Sequence, residues 1–182
     1  MKITSIILNF SFFFLPILMN GQTFPIDEET KRIKYEEVVQ VEGISSKELF
    51  DRTVEFFKTE YLTDNFKLSD TLNSTISNDG SLLMQYVVMK YNMENIILYT
   101  LTVKIKEGRY KYTIDNFRLS SATESGSYEQ SLMSVYNGPS IGAMKKLKKA
   151  LDAELNNKVH EITTRLKTAL ATGEIKKEDD NW

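Results

Sequence analysis

Two runs of alternating residues, IILYTLTVKIK (96–106) and RYKYTIDNFRLS (109–120), are separated only by Glu107-Gly108. So short a connection dictates which residues of the two strands oppose each other. Ile105 then faces Tyr110, Val103 faces Tyr112 and Leu101 faces Ile114, all on one side of the ribbon. Lys106–Arg109, Lys104–Lys111 and Thr102–Thr113 occupy the other side. The first side is apolar or aromatic and the second is solvent chemistry, a sorting that a slip of one residue would destroy. Glycine in the second loop position suits a type I′ turn.

More strands precede this ribbon. LNSTIS (72–77) and LLMQYVVMKY (82–91) flank the turn formers Asn78, Asp79, Gly80 and Ser81, which predicts a hairpin there. Asn92 to Asn95 predicts a second turn. Nearer the N-terminus, an extended lead-in over 22–31 with Pro25 and a charged turn opens onto a strand over 32–42, which stops at Gly43. In that strand Glu37 shares a face with Ile33, Tyr35, Val39 and Val41. A buried, unpaired carboxylate there would cost several kcal/mol. Glu37 is therefore expected at an edge or bulge, or bonded to a tyrosine hydroxyl; deep burial would instead raise its pKa and mark it as a working acid.

Two helices frame the strands. Ser45-x-x-Glu48 is a capping box, and Leu49, Phe50, Thr53, Val54, Phe56, Phe57 and Tyr61 follow as an apolar stripe at three- and four-residue spacing. Residues 122–138 are small and polar and predict a loop, with a short helical turn around 129–136. Pro139 suits the first turn of a long helix over 140–171, with Ile141, Met144, Leu147, Leu151, Leu155, Val159, Ile162, Leu166 and Leu170 along one side. Asn156-Asn157 is the natural place for that helix to bend or break. The order β-α-β-β-β-β-α predicts an α+β fold: a curved antiparallel sheet of about five strands with two helices on one face, TBP-like or helix-grip-like. The first strand is expected at a sheet edge or beside the fifth.

The ends place this domain in a compartment. MKITSIILNFSFFFLPILMNG (1–21) has one charge, Lys2, then an apolar run from Ile6 to Met19 that is shorter than the roughly 20 residues of a spanning helix. It reads as a secretory signal peptide cut between Gly21 and Gln22. Residues 22–171 then form one domain, and 172–182 a charged flexible tail, with no transmembrane segment in the mature chain. Loss of Lys2 moves the formal charge from −2 to −3, which gives no electrostatic reason to expect a nucleic-acid partner. The chain has no cysteine, which excludes disulfides, thiolate metal sites and cysteine nucleophiles.

Catalytic signals are sparse. His160 is the only histidine and reads as a helix-surface residue; no metal site or cofactor is expected. No phosphate-binding glycine loop or nucleophile elbow occurs. KKLKKA (145–150) reads as solvated helix surface, and Asn73-Ser74-Thr75 is a weak glycosylation signal. The tyrosines are the richer feature. Tyr86, Tyr91, Tyr99, Tyr110 and Tyr112 fall on strands, where amphipathic rings line a cavity, hold an interface or simply fill a sheet. Tyr35, Glu37, Tyr99, Tyr110 and Tyr112 are the candidate ligand or interface residues.

The run FPIDEETKRIKYEEVVQVEGISSKELFDRTVEFF (24–57) resembles the start of a family of secreted bacterial domains of unknown function described as having a TBP-like fold. The resemblance rests on FPIDEETKRIKYEEVV, on the Gly-Ile-Ser-Ser-Lys-Glu-Leu-Phe helix entry and on the aromatic end of the first helix. It implies a fold and an exported location, and it supplies no catalytic residue. The function expected is a non-enzymatic binding or interaction module of the cell envelope, taking a protein partner or a small apolar ligand. Alternatives are a hydrophobic-ligand carrier with a cavity under the sheet, a carboxylate- and tyrosine-based hydrolase, and a homo-oligomer pairing through a sheet edge or the long helix.

Overall fold

The computed structural model describes residues 24–62, 66–88, 90–123, 126–138 and 141–175. The expected leader, its cleavage between Gly21 and Gln22, Pro139 and residues 176–182 of the tail lie outside the described residues. The elements are β1 (Tyr35–Gln40), α1 (Ser46–Tyr61), β2 (Leu68–Asp70), β3 (Thr75–Val88), β4 (Tyr91–Lys106), β5 (Arg109–Thr123), β6 (Gly126–Ser131), α2 (Leu132–Asn137) and α3 (Ala143–Thr172). They form one six-stranded antiparallel sheet of order β1-β5-β4-β3-β2, with β6 continuing along β5 beyond β1.

The β4–β5 ribbon has the register read from its loop: Ile105 pairs with Tyr110, Val103 with Tyr112 and Leu101 with Ile114. Its turn is not type I′, which needs positive φ at both central residues; Gly108 has φ +65° and Glu107 is not in the positive region. The register shifts between Leu98 and Thr100, where Asn116 takes φ 54°. Such a bulge lets one strand gain a residue and bends the sheet. β1 lies antiparallel beside β5, with Tyr35 opposite Ile114, Glu37 opposite Tyr112 and Val39 opposite Tyr110.

Two sequence expectations fail within the strands. Asn78-Asp79-Gly80-Ser81 is not a turn, because β3 runs through it as 14 unbroken residues. Asn92–Asn95 is likewise strand, and the reversal falls just before it, with Val88 opposite Tyr91. The expected loop over 122–138 instead holds the end of β5, then β6 and α2.

The helices cover one sheet face. Ser45 caps α1, its Oγ accepting from Glu48 N–H at 3.2 Å, yet the box is not reciprocal: Glu48 Oε1 accepts from Arg52 Nη2 instead, at 2.6 Å. Leu49, Phe56 and Phe57 of α1 pack with Leu151, Leu155, Ile162 and Leu166 of α3 over Ile76, Met84, Ile97, Leu101 and Ile114 of the sheet. α3 is continuous through Asn156-Asn157. Asn156 does not disrupt it because its side chain is engaged elsewhere, Oδ1 accepting from the Tyr35 hydroxyl at 2.7 Å and Nδ2 donating to the Asp152 carbonyl at 2.8 Å. Ile141, expected on the buried side, precedes the helix and is 81% exposed.

Lys148 departs from its expected place on a solvated surface. It is 8% exposed, and its Nζ donates to the Tyr136 and Gly138 carbonyls, both at 2.8 Å. A cation at the end of α2 satisfies carbonyls that the helix leaves open. Among the described residues, no helix is long and apolar enough to cross a membrane, and no cluster of three or more His, Asp or Glu could hold a metal.

Candidate functional site

Tyr35, Tyr99, Tyr110 and Tyr112 point toward the helices, because alternation in β1, β4 and β5 puts them on the face that α1 and α3 cover. Tyr35 reaches Asn156 on α3 and sets its ring edge against Phe117, centroids 5.8 Å apart. Tyr112 donates to Glu37 Oε2 at 2.6 Å, and Lys167 Nζ from α3 donates to Glu37 Oε1 and Oε2 at 2.9 and 2.7 Å. Lys167 Nζ also stands 5.8 Å from the Tyr112 ring centroid. Partial burial pushes the Glu37 carboxyl up, but the Lys167 and Tyr112 hydrogen bonds outweigh it and hold the group below the usual carboxylate range.

Glu37 is thus an ionised rim residue on an edge strand, its side chain 45% exposed, joining β1 to α3. Burial raises the Tyr35, Tyr110 and Tyr112 hydroxyls well above the ordinary phenol range. The Tyr110 hydroxyl is buried with no hydrogen-bond partner. Tyr35, Glu37 and Tyr112 thus tie β1 and β5 to α3, and Tyr110 is buried with the core cluster.

Tyr99 belongs to a different place. Gly80 of β3 lies opposite Tyr99 of β4, and a Cβ at Gly80 would stand 2.5 Å from Tyr99 Cζ and 2.7 Å from Tyr61 Cε1. Only glycine lets the two rings close over the strand here. Their hydroxyls meet at 3.2 Å. Burial raises both, Tyr99 up to about 12 and Tyr61 well above its ordinary value.

Around this pair the end of α1, the middle of α3 and the outer margin of β3 leave an open cleft of about 860 Å³. It wraps the strand edge, since its lining includes Leu82 from the helix-facing side and Leu83 and Leu98 from the opposite side. Ion pairs flank it: Arg165 donates to Glu60, with Nε to Oε2 at 3.1 Å, Lys158 meets Glu161 at 3.2 Å and Lys67 meets Asp79 at 2.9 Å. Burial pushes the Asp79 carboxyl up, but hydrogen bonds from Thr100 and Lys67 outweigh that and keep it ionised.

β3 is open beside this cleft. β2 pairs only with Thr75–Ser77, so from Asn78 to Val88 no strand among the described residues covers the side away from β4. Sequence reasoning missed this edge and the roles of Tyr61 and Gly80. A glycine inside an alternating run is the signal that would have found them, because in a strand it can mark a site where another group approaches closely.

A second polar cluster fastens α2. The Tyr136 hydroxyl lies 2.5 Å from Asp152 Oδ1 and 3.1 Å from the Lys148 carbonyl. Burial raises the Asp152 carboxyl above its ordinary value despite the Tyr136 bond.

An open antiparallel six-stranded sheet with helices against one face is a TBP-like α+β fold. Residues 35–120, from β1 through most of β5, match the family model of a domain of unknown function with TBP-like fold, DUF4468. This is the family that residues 24–57 resemble. Two solved structures are similar, each with a TM-score of 0.63. A DUF4468 family protein from Bacteroides ovatus is 13% identical, over 81% of this chain and 91% of that one. A TBP-like protein from Parabacteroides distasonis is 16% identical, over 82% of this chain and 98% of that one. At these identities the likeness is one of fold. No curated protein matches the sequence.

Proposed function

We propose that the protein is an exported, non-enzymatic interaction module of the bacterial cell envelope that receives an extended polypeptide segment along the free edge of β3. The observation that carries this reading is the strand margin from Gly80 to Val88, which no other strand among the described residues pairs on the side away from β4. Such an edge offers a row of main-chain donors and acceptors to an added strand. Edges that must stay single are usually short, covered, or guarded by lysine or proline. This stretch contains neither residue, and Leu83 and Val87 are 53% and 64% exposed. The cleft beside it supplies space for alternate side chains of the incoming segment. Residues 1–21, with the features of a secretory leader, support export.

The test is selection of peptides from a random display library on the purified protein, followed by affinity measurement on Leu83→Lys/Val87→Lys. Both side chains are solvent-exposed, so the double variant keeps the fold. The expected result is peptides whose binding weakens about tenfold or more in the variant. Peptides that bind both proteins equally would contradict the edge reading. So would tight binding of small apolar ligands in place of peptides.

A further inference from the structure

No helix among the described residues packs on the sheet face opposite α1 and α3, and that face is chemically graded along the strands. At the β4–β5 turn end, Lys104 sits directly opposite Lys111, and Lys106 directly opposite Arg109. Like charges in opposed positions destabilise a strand pair. Only Lys111 has an acidic partner, Glu36 at 3.2 Å; among the described residues Lys104, Lys106 and Arg109 form no ion pair. These residues and Val38, which is 52% exposed, line an open hollow of about 380 Å³. A chain with net negative charge thus gathers four cations on one sheet corner, three of them without an ion-pair partner among the described residues.

We infer that this corner docks an extended acidic segment of a partner protein, whose alternate carboxylates meet the two rows of cations. The repeat matches: Lys104 to Lys106 and Arg109 to Lys111 are each two residues along a strand, roughly 6.8 Å, as are same-side residues of an extended peptide. Val38 beside the cations receives an apolar neighbour in that segment. Two rows further along the same face come Glu36, Thr113 and Thr102, then Asp115 and Thr100. A flat anionic bilayer laid on the face would meet those carboxylates too, whereas a single strand covers the cationic corner alone. This surface is separate from the β3 edge, and its test stands independently of that reading.

The probe is a fluorescent peptide of alternating glutamate and valine, compared with its glutamine–valine counterpart by anisotropy at low and physiological salt. Wild type should bind the acidic peptide at least about tenfold more tightly than the neutral one, and salt should weaken it, because exposed charges are screened over about 8 Å at physiological strength. Lys104→Gln/Lys106→Gln should lose that preference while melting no lower than wild type, since opposed like charges are removed. Amide NMR shifts on wild type should map the peptide to 104–111 and Val38, a readout that needs no variant. Equal binding of both peptides, unchanged binding by the variant, or shifts elsewhere would overturn the inference. Tighter association with phosphatidylglycerol vesicles or alginate than with the peptide would overturn it as well.

Discussion

Gly80 shows how one side chain's absence shapes the site. With Tyr99 Cζ and Tyr61 Cε1 at 2.5 and 2.7 Å from where a Cβ would stand, Gly80→Ala must displace two rings or the strand. The variant should lose roughly 1–3 kcal/mol in urea unfolding, and Tyr99→Leu in the same chain should reduce that loss. An additive double variant would show that the rings are not what excludes the methyl. Glu37 makes the opposite point, a charge that sits on an apolar-patterned face because it is paired. Its folded pKa lies below the ordinary 4.5, so its contribution is present above that value and fades as pH falls through the folded pKa. Being nearly half-exposed, Glu37→Gln should cost no more than about 1 kcal/mol at neutral pH, and the difference from wild type should vanish in acid. A loss that persists below the folded pKa would mean that its shape, and not its charge, matters.

At the scale of elements, Arg52 ties the two main helices together. Its Nη1 donates to the Leu170 and Ala171 carbonyls at 2.7 and 2.8 Å, closing the C-terminus of α3 from α1. Charged donors on helix-end carbonyls are worth roughly 1.5–3 kcal/mol, so Arg52→Ala should lower unfolding free energy by about that much, read in urea. No measurable change would mean the carbonyls are served equally well by water. What could be read from sequence follows the same division between local and distant causes. The β4–β5 register was legible because a two-residue loop is a local constraint, and the α1 and α3 stripes because burial repeats every three or four residues. The course of β3 was not legible. Asn78, Asp79 and Gly80 have turn chemistry, but Asn78 Oδ1 accepts from Lys67 N–H at 3.3 Å, Asp79 Oδ1 accepts from Thr100 at 2.6 Å, and Gly80 lies under Tyr99. Partners distant in sequence override the local preference. The place of Lys148 is set in the same way, by the Tyr136 and Gly138 carbonyls twelve and ten residues before it, which a helix-surface pattern does not reveal.

At the scale of the whole fold, the helices cover one sheet face, and among the described residues the edge of β3 with its cleft and the cationic corner opposite stay open. The candidate tyrosines were legible as sheet residues, and of them Tyr99 lines the cleft beside β3. Amide hydrogen exchange across β3, in the free protein and with a selected peptide bound, addresses the proposed function. In the free protein, alternate amides between Asn78 and Val88 that face away from β4 should exchange fast while those paired with β4 stay protected. Peptide binding should slow the fast set selectively. Uniform protection in the free protein, or a bound peptide that leaves those amides fast, would contradict strand addition at this edge.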